Sequence, residues 1–252
     1  MDFDNTPNIL FRGRVFLRKW YPQIRKTFGY SLEEDMRAER ILHRLLEKQG
    51  LTFEKVKPIL ENKSVIIYGA GPSLPSDISM ITKKYTSRSL IHVAADGAAY
   101  ALLEHDIVPS IVVTDLDGLD ADILAQLNLL GTIFAVHAHG DNIDLVKKYV
   151  PRVANRVIGT VQSIPSTPLI NAGGFTDGDR AVCLVEAAKP TQILLAGMDF
   201  GPILGKYSKP FLDKDVIAPT EKRKKLEIAK EIVEWILETT NVPIINVRKE
   251  DF

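Results

Sequence analysis

Two aspartates separated by one residue follow a short apolar stretch near the middle of the chain. Residues Ile111–Thr114 are β-branched, as is typical of a strand buried on both faces, and Asp115 and Asp117 come directly after them. Open α/β sheets place their ligands at the carboxyl ends of such strands. Neighbouring carboxylates repel each other unless a proton or a cation lies between them, and Mg²⁺ prefers oxygen ligands. The pattern indicates a metal site; the alternative is an aspartate-rich turn that caps a helix starting near Asp120.

Polar side chains also stand at the end of most other predicted strands. Because the carboxyl ends of parallel strands share one edge of a sheet, we expect these side chains to meet at a single rim. Stability alone does not require so much polarity there, so we interpret the rim as an active site. Alternation puts His137 and His139 on the same side of their strand, where contact with phosphate or proton transfer suits them better than zinc binding; a structural pair is the alternative. The polar side chains at these strand ends are Asp96, His137, His139, Asp141, Thr160, Gln162 and Asp199.

A glycine-rich segment follows the apolar sequence VIIY and contains Gly69, Gly71, Pro72 and Ser73. Glycines placed directly after a strand let backbone amides approach a phosphate at a helix N-terminus. A dinucleotide fingerprint would require a third glycine near Leu74, which is absent. We interpret the segment as a loop that binds the phosphates of a nucleotide; the alternative is a plain turn between a strand and a helix.

A second glycine-rich segment opens the helix that ends near Ala188. Its carboxylates suit the first turn of a helix, but glycines on both sides of this region's aromatic residue exceed what capping requires and indicate a flat ligand. The candidate contacts are Asn171, Gly173, Gly174, Phe175, Thr176, Asp177 and Asp179.

The segment from Pro202 to Pro219 is long and polar, and it contains Lys206, Tyr207 and Lys209. Loops of this length are usually mobile or functional. We predict a lysine-bearing lid over a triphosphate. A basic loop that is simply exposed to solvent is the alternative.

The composition limits the class of protein. The chain has 252 residues, of which 45% are hydrophobic and 25% charged, with a formal net charge of +0. It can therefore build a large core, and no overall field attracts nucleic acid or an anionic membrane. The single cysteine excludes an internal disulfide and a cysteine-based zinc site. No apolar run reaches the roughly 18 residues of a membrane span, and the opening residues lack an export signal. We expect a cytoplasmic protein without nucleic-acid or membrane partners.

Strands alternate with helices from residue 61 onward, which predicts an α/β fold with a doubly wound, mostly parallel sheet. Residues 1–60 show no strand pattern. Within them, Ser31 and Glu34 form a capping box ahead of a charged helix that ends at Gly50. We therefore divide the chain into a helical N-terminal appendage, residues 1–60, and an α/β domain, residues 61–252. The appendage suits packing, the formation of a homodimer, or the covering of an active site.

The sequence resembles the archaeal 6-hydroxymethyl-7,8-dihydropterin pyrophosphokinase family in an ordered series of motifs: YGAGPSL, AADGAA, VVTDLDG, HAHGDN, GTVQ, NAGGFTDGDRAV and AGMDFG. This family is related to the motility accessory factor proteins and resembles thiamin pyrophosphokinase in its ADG and DxD segments. The resemblance implies Mg²⁺-dependent transfer of a diphosphate from ATP to the hydroxymethyl group of a reduced pterin. It also implies release of AMP and a place in tetrahydrofolate or tetrahydromethanopterin synthesis.

The resemblance further implies roles for individual residues. Catalysis would rest on Asp115, Asp117 and His139, and Mg²⁺ would be held by Asp115 and Asp117, with Asp96 and Asp141 as further candidates. The ATP contacts would come from Gly69, Gly71, Pro72, Ser73 and Lys206. Asp177 or Asp179 would bind the amino-pyrimidinone edge of the pterin with two hydrogen bonds, with Asp96 as a competitor. The other pterin contacts would come from Thr160, Gln162, Asn171, Gly173, Gly174, Phe175 and Thr176.

Two other functions remain open from the residues. The Asp-Leu-Asp motif could hold the metal of a nucleotide-sugar glycosyltransferase. Alternatively, the chain could be a non-catalytic dinucleotide-binding module, with residues 69–74 as a degenerate fingerprint and Asp96 on the ribose. The missing third glycine and the surplus of carboxylates count against the second of these.

Overall fold

The computed structural model describes residues 6–84 and 90–248, and these ranges contain ten α-helices and nine β-strands. Residues 1–5, part of the opening segment used above to exclude an export signal, lie outside them. The helices are α1 (Phe11–Lys19), α2 (Tyr21–Phe28), α3 (Leu32–Leu46), α4 (Phe53–Leu60), α5 (Leu74–Lys84), α6 (Ala98–Leu103), α7 (Ala121–Leu129), α8 (Ile143–Val153), α9 (Asp177–Ala187) and α10 (Thr220–Thr239). The strands are β1 (Ser64–Tyr68), β2 (Leu90–Ala95), β3 (Ile111–Thr114), β4 (Ile133–Ala138), β5 (Val157–Val161), β6 (Gln192–Ala196), β7 (Ile203–Leu204), β8 (Val216–Ile217) and β9 (Ile244–Asn246).

Seven strands form one sheet in the order β5-β4-β3-β2-β1-β6-β9, and every neighbouring pair is parallel. Alternate residues of β1 belong to two separate cores: Ile66 and Tyr68 pack on one face of the sheet, and Val65 and Ile67 on the other. A strand buried on both faces explains the unbroken apolar sequence. The predicted doubly wound, mostly parallel α/β fold is confirmed.

The connections run outward from β1 through β2, β3, β4 and β5 on one side, and β6 then pairs with the other side of β1. The loops after β1 and β6 therefore leave the sheet in opposite directions. Open α/β sheets bind ligands at such a switch point, outside the carboxyl ends of the strands.

The N-terminal helices pack against both layers. Phe16 in α1 and Ile24 in α2 belong to the core on the α9 and α10 side, whereas Leu42 and Leu46 in α3 belong to the core on the opposite side. A Cβ added at Gly159 in β5 would lie within 3.1 Å of both leucines, so this glycine lets α3 approach the sheet. The division of the chain near residue 60 remains a prediction.

The structure corrects two details of the predicted organisation. The apolar sequence after Tyr149 predicts a strand over 153–160, but the strand begins only at Val157, because α8 extends to Val153 and a 3₁₀ turn covers residues 154–156. The segment from Pro202 to Pro219 carries the antiparallel pair β7 and β8. In the described ranges, no helix combines the length and apolarity needed to cross a bilayer.

Candidate active site

A cavity of about 370 Å³ opens at the carboxyl edge of the parallel sheet. Residues that follow β1, β2, β3, β4, β5 and β6 all contribute to its lining, so the strand ends do meet at one rim. The predicted site residues on its walls are Gly69, Gly71, Asp96, Asp115, Asp117, His139, Asp141, Gln162, Phe175, Thr176 and Asp177.

Asp96, Asp115 and Asp117 form what we call the acidic triad. Each of them offers one carboxylate oxygen, and these oxygens lie within 4.8 Å of one another. Hard oxygen donors at this separation suit Mg²⁺, so the residues fit the metal that the sequence predicts. Asp141, the fourth predicted ligand, lines the cavity outside this group, with a side chain that is 70% exposed.

Left-handed backbone conformations aim the acidic triad into the cavity. Asp96 has φ +48° and Leu116 has φ +72°, a region that a branched residue such as leucine rarely adopts. This conformation buries the Leu116 side chain, which is 2% exposed, while Asp115 and Asp117 on either side of it both face the cavity. Backbone strain of this kind costs on the order of 1–3 kcal/mol and is found at functional sites.

Burial and mutual repulsion set the ionisation of the triad. Burial and the charges of Asp115 and Asp117 raise the pKa of Asp96 to about 7. Burial and the Asp115 charge also raise the pKa of Asp117. Burial alone would raise the pKa of Asp115 as well, but hydrogen bonds to His139 and Asp117 outweigh it and hold that pKa well below its ordinary value. The triad therefore favours a bound cation.

His139 lies between two of the predicted metal ligands. Its Nε2 is 3.6 Å from Asp115 Oδ2, and its Nδ1 is 3.9 Å from Asp141 Oδ2. The backbone amide of Asp141 donates to Nδ1 over 3.3 Å. The imidazole is thus held at the cavity wall with Nε2 directed toward the acidic triad.

The positive charge in the cavity comes from Lys209, the other lysine named for the predicted lid, and from Arg180, rather than from Lys206. The Lys209 ammonium forms an ion pair with Asp117, and Arg180 Nη1 lies 3.4 Å from Asp177 Oδ1. By contrast, the predicted Lys206 does not line the cavity, and its ammonium lies 4.6 Å from the centre of the Tyr207 ring. Further cations on the wall are Lys222 and Lys225.

The predicted phosphate loop has no free amides at its key positions. The amide of Gly69 donates to the Ala196 carbonyl over 2.8 Å, and that of Gly71 donates to the Gly197 carbonyl over 2.9 Å. The amide of Ser73 donates to Asp199 Oδ2 over 2.9 Å. The predicted amide contacts with a nucleotide are therefore replaced here by bonds to protein atoms. Gly69 and Gly71 still line the cavity.

Two further residues of this loop lie to one side. Pro72 and Ser73 face a neighbouring, shallower cavity rather than the main one. Gly71 is required for a steric reason, because a Cβ at this position would fall 2.6 Å from the Gly197 carbonyl oxygen. The β1 loop thus closes onto the residues that follow β6.

In the second glycine-rich segment, Phe175, Thr176 and Asp177 line the cavity but Asp179 does not. The fully buried Asp179 carboxylate accepts hydrogen bonds from the Phe175 amide (2.5 Å), the Thr176 amide (2.8 Å) and the Thr176 hydroxyl (2.6 Å). It completes the capping box of α9. In this arrangement Asp179 caps α9 and Asp177 is the carboxylate that lines the cavity, which favours Asp177 of the two predicted pterin ligands.

Asn171, Gly173, Gly174 and Thr160 also lie behind the cavity wall rather than on it. Asn171 Nδ2 donates to the Ser163 carbonyl over 3.0 Å, and its Oδ1 accepts from the Gly173 amide over 3.0 Å. The Thr160 hydroxyl lies 3.0 Å from His137 Nδ1. The hydrogen bonds of Asn171, Gly173 and Thr160 shape the wall from behind, and their predicted contact with a ligand stays a prediction.

The N-terminal helices contribute to the site through Asp35, a residue that sequence reasoning missed. Asp35 is 2% exposed; its Oδ2 accepts from the Tyr21 hydroxyl (2.7 Å) and from Gln162 Nε2 (2.8 Å). Its Oδ1 accepts from the Gly140 amide over 2.9 Å. One buried carboxylate thus positions a cavity side chain and the loop that carries His139. An acid in the first turn of α3 looks like an ordinary helix-dipole residue in the sequence.

The cavity also has an aromatic wall. Tyr30 and Phe175 line the cavity, and the Phe28 ring bridges them, with centroid separations of 5.6 Å and 5.4 Å. The Lys225 ammonium lies 5.5 Å from the centre of the Tyr30 ring. The cavity lining therefore combines aromatic surface with charged groups. Tyr30 carries no local sequence signal, since it stands just before the N-cap of α3.

Comparison with known proteins identifies relatives along most of the chain. Residues 40–203 match the model of the family described as "6-hydroxymethylpterin diphosphokinase MptE-like". The 6-hydroxymethyl-7,8-dihydropterin pyrophosphokinase of Methanothermobacter thermautotrophicus is 41% identical over 234 residues, which cover 92% of this chain and 97% of the relative. The protein of the same name from Methanocaldococcus jannaschii is 38% identical over 242 residues, 91% of this chain and 99% of the relative.

A solved structure also shares the fold. The MAf glycosyltransferase of Magnetospirillum magneticum superposes with a TM-score of 0.53 at 15% sequence identity, covering 86% of this chain and 39% of that larger protein. This likeness concerns the fold alone. The family model and the two sequence relatives show more than the fold: the chain belongs to the family of MptE-like 6-hydroxymethylpterin diphosphokinases.

Proposed function

We propose that this chain transfers a diphosphate group from ATP to the hydroxymethyl oxygen of 6-hydroxymethyl-7,8-dihydropterin and releases AMP. The observation that carries the proposal is the acidic triad, which faces Lys209 and Arg180 within a single cavity. The names of the relatives supply the pterin and the pyrophosphokinase activity. The product would serve tetrahydrofolate or tetrahydromethanopterin synthesis.

The reaction joins the hydroxymethyl oxygen to the β-phosphorus of ATP. The bond from the β-phosphorus to the bridging oxygen breaks, and AMP leaves with that oxygen and its electron pair. We assign the proton of the hydroxyl group to a carboxylate of the acidic triad. His139 carries its own ring proton on Nε2, facing Asp115, because its Nδ1 accepts from the Asp141 amide. Mg²⁺ bound to Asp115, Asp117 and Asp96 would neutralise charge on the phosphate oxygens. Asp141 would contribute through water.

The two kinds of lining suit the two substrates. The aromatic wall around Phe175 offers a stacking surface for a flat pterin, and Asp177 lies beside it. A carboxylate can accept two hydrogen bonds from the amino-pyrimidinone edge. Lys209, Lys222 and Lys225 would pair with the triphosphate, for which Gly69 and Gly71 form the floor of the site.

A direct assay tests the proposal. The purified chain is incubated with ATP, Mg²⁺ and 6-hydroxymethyl-7,8-dihydropterin, and products are followed by phosphorus NMR and chromatography. We expect AMP and pterin diphosphate in equal amounts. Formation of ADP, or of no product, would refute the proposal, and preferential binding of a nucleoside diphosphate sugar over ATP would favour the glycosyltransferase alternative.

A further inference from the structure

Lys209 lies where a cation bound by the acidic triad would interact with Asp117. Its ammonium forms an ion pair with Asp117 Oδ2, and its side chain is 25% exposed. Partial desolvation would lower the pKa of Lys209, but Asp117, Asp96 and Asp115 together raise it, so the side chain remains charged. The ammonium group is thus the positive charge that this chain itself supplies to its candidate metal ligands.

The backbone that leads to Lys209 is packed closely against the sheet edge. A Cβ added at Gly205 would lie 2.5 Å from the Ala70 carbonyl oxygen, and one added at Gly97 would lie 1.9 Å from the Tyr207 carbonyl oxygen. The Tyr207 hydroxyl donates a hydrogen bond to Glu104, the residue that follows α6. These contacts hold the segment in place, so an exchange of partners at Lys209 requires rotation of its flexible side chain rather than movement of the loop.

We propose that the Lys209 ammonium substitutes for the divalent cation in the acidic triad until the metal and the nucleotide bind, and that it then pairs with the triphosphate. The inference rests on the proposed function, because the triphosphate belongs to ATP. Two cations close to one carboxylate repel each other strongly in a partly buried site. Metal binding therefore displaces the ammonium from Asp117, and the nearest new partner for it is the anion that the metal accompanies.

This exchange couples the two ligands. Metal alone must break the ion pair between Lys209 and Asp117 without offering the ammonium another partner, so it binds weakly. Metal together with nucleotide supplies that partner, so each ligand raises the affinity for the other by the same factor. The ion pair also keeps the triad partly neutralised when neither ligand is bound.

Binding measurements on charge-matched variants test the inference. The affinity for Mn²⁺ is measured by electron paramagnetic resonance and calorimetry, first alone and then with a non-hydrolysable ATP analogue. K209M should bind Mn²⁺ alone about tenfold more tightly than the unmodified chain, a typical size for such coupling, and should lose most of the mutual enhancement between metal and analogue. K214M removes an equal charge from an exposed position on the same loop and should change neither quantity.

Two results would overturn the inference: a K209M variant that binds Mn²⁺ alone no more tightly than K214M, or one that retains the full enhancement by the analogue. K209Q serves as a second variant, and thermal unfolding establishes that each protein is folded. The measurement of metal alone needs neither pterin nor turnover. If the analogue does not bind at all, the proposed function fails, while the Mn²⁺ affinity still decides whether Lys209 occupies the cation position.

Discussion

The hydroxyl of Thr114 donates a hydrogen bond of 2.7 Å to Asp96 Oδ1. The Thr114 hydroxyl oxygen in turn accepts a 2.7 Å hydrogen bond from the amide of Leu116. Thr114 is fully buried at the end of β3, and it therefore links the acid that follows β2 to the strained backbone between Asp115 and Asp117. A single hydroxyl group thus connects all three members of the acidic triad.

Replacing Thr114 by valine should disrupt this link without changing the size of the side chain much. The buried Leu116 amide would lose its acceptor and Asp96 its donor, so we expect the free energy of unfolding to fall by about 1–3 kcal/mol. Metal affinity should fall with it, because the triad loses its alignment. T114S keeps the hydroxyl and is the matched control. Equal metal affinity in T114V and T114S would show that the hydroxyl does not position the triad.

Asp117→Asn should remove activity while leaving the fold intact. The side chain lies at the cavity rim and is 44% exposed, and its negative charge is opposed by Asp115, so neutralising it costs little stability. We expect a loss of at least about 10²-fold in kcat, as for removal of a group that stabilises transition-state charge. D144N alters a side chain that is 99% exposed and should leave both properties unchanged. An unfolded D117N variant would instead identify Asp117 as a structural cap.

The raised pKa of Asp96 predicts a pH-dependent stability in the absence of metal. Folding raises this pKa from 3.8 to about 7, so the folded chain binds an extra proton between these values. The stability associated with the protonated form is fully present below pH 3.8 and is lost as the pH rises through about 7. Denaturant unfolding should therefore give a lower free energy of unfolding at pH 8 than at pH 5.

Asp96→Asn provides the matched comparison for this pH effect. Asparagine tolerates the left-handed backbone at this position and can still accept from Thr114. We expect the variant to lose less stability between pH 5 and pH 8 than the unmodified chain, and Mg²⁺ to stabilise only the unmodified chain appreciably at pH 8. The same loss of stability in both proteins would assign the pH effect to another group.

Asp35→Asn tests the link between the N-terminal helices and the site. Asparagine offers one acceptor oxygen to the three donors that Asp35 satisfies, so we expect a loss of about 1–3 kcal/mol in the free energy of unfolding. Because Gln162 and the Gly140 loop lose their anchor, kcat/KM should also fall at a temperature where the variant is folded. E33Q changes an exposed acid on the same helix and serves as control. Full activity in D35N would limit Asp35 to a structural role.

The sequence by itself was sufficient for the architecture and for the acidic triad. Apolar stretches alternating with helical patterns recur along the chain, and a parallel sheet necessarily brings the ends of its strands to one edge. Buried strands are followed closely by Asp96, Asp115 and Asp117. The proximity of these three carboxylates in space is therefore predictable from local patterns alone. Of the capping box predicted at Ser31, the structure shows one half: the Ser31 hydroxyl oxygen accepts from the Glu34 amide, while the Glu34 carboxylate pairs with Arg37.

The tertiary structure decided which side chains face the cavity beyond the strand ends. Lys209 rather than Lys206 reaches Asp117, and Asp177 rather than Asp179 reaches the cavity. The buried Asp35, on a helix distant in sequence, positions Gln162 at the cavity wall. These choices depend on loop conformations and on contacts between residues far apart in sequence. A periodic pattern records only which face of an element is buried, so it carries no information about them.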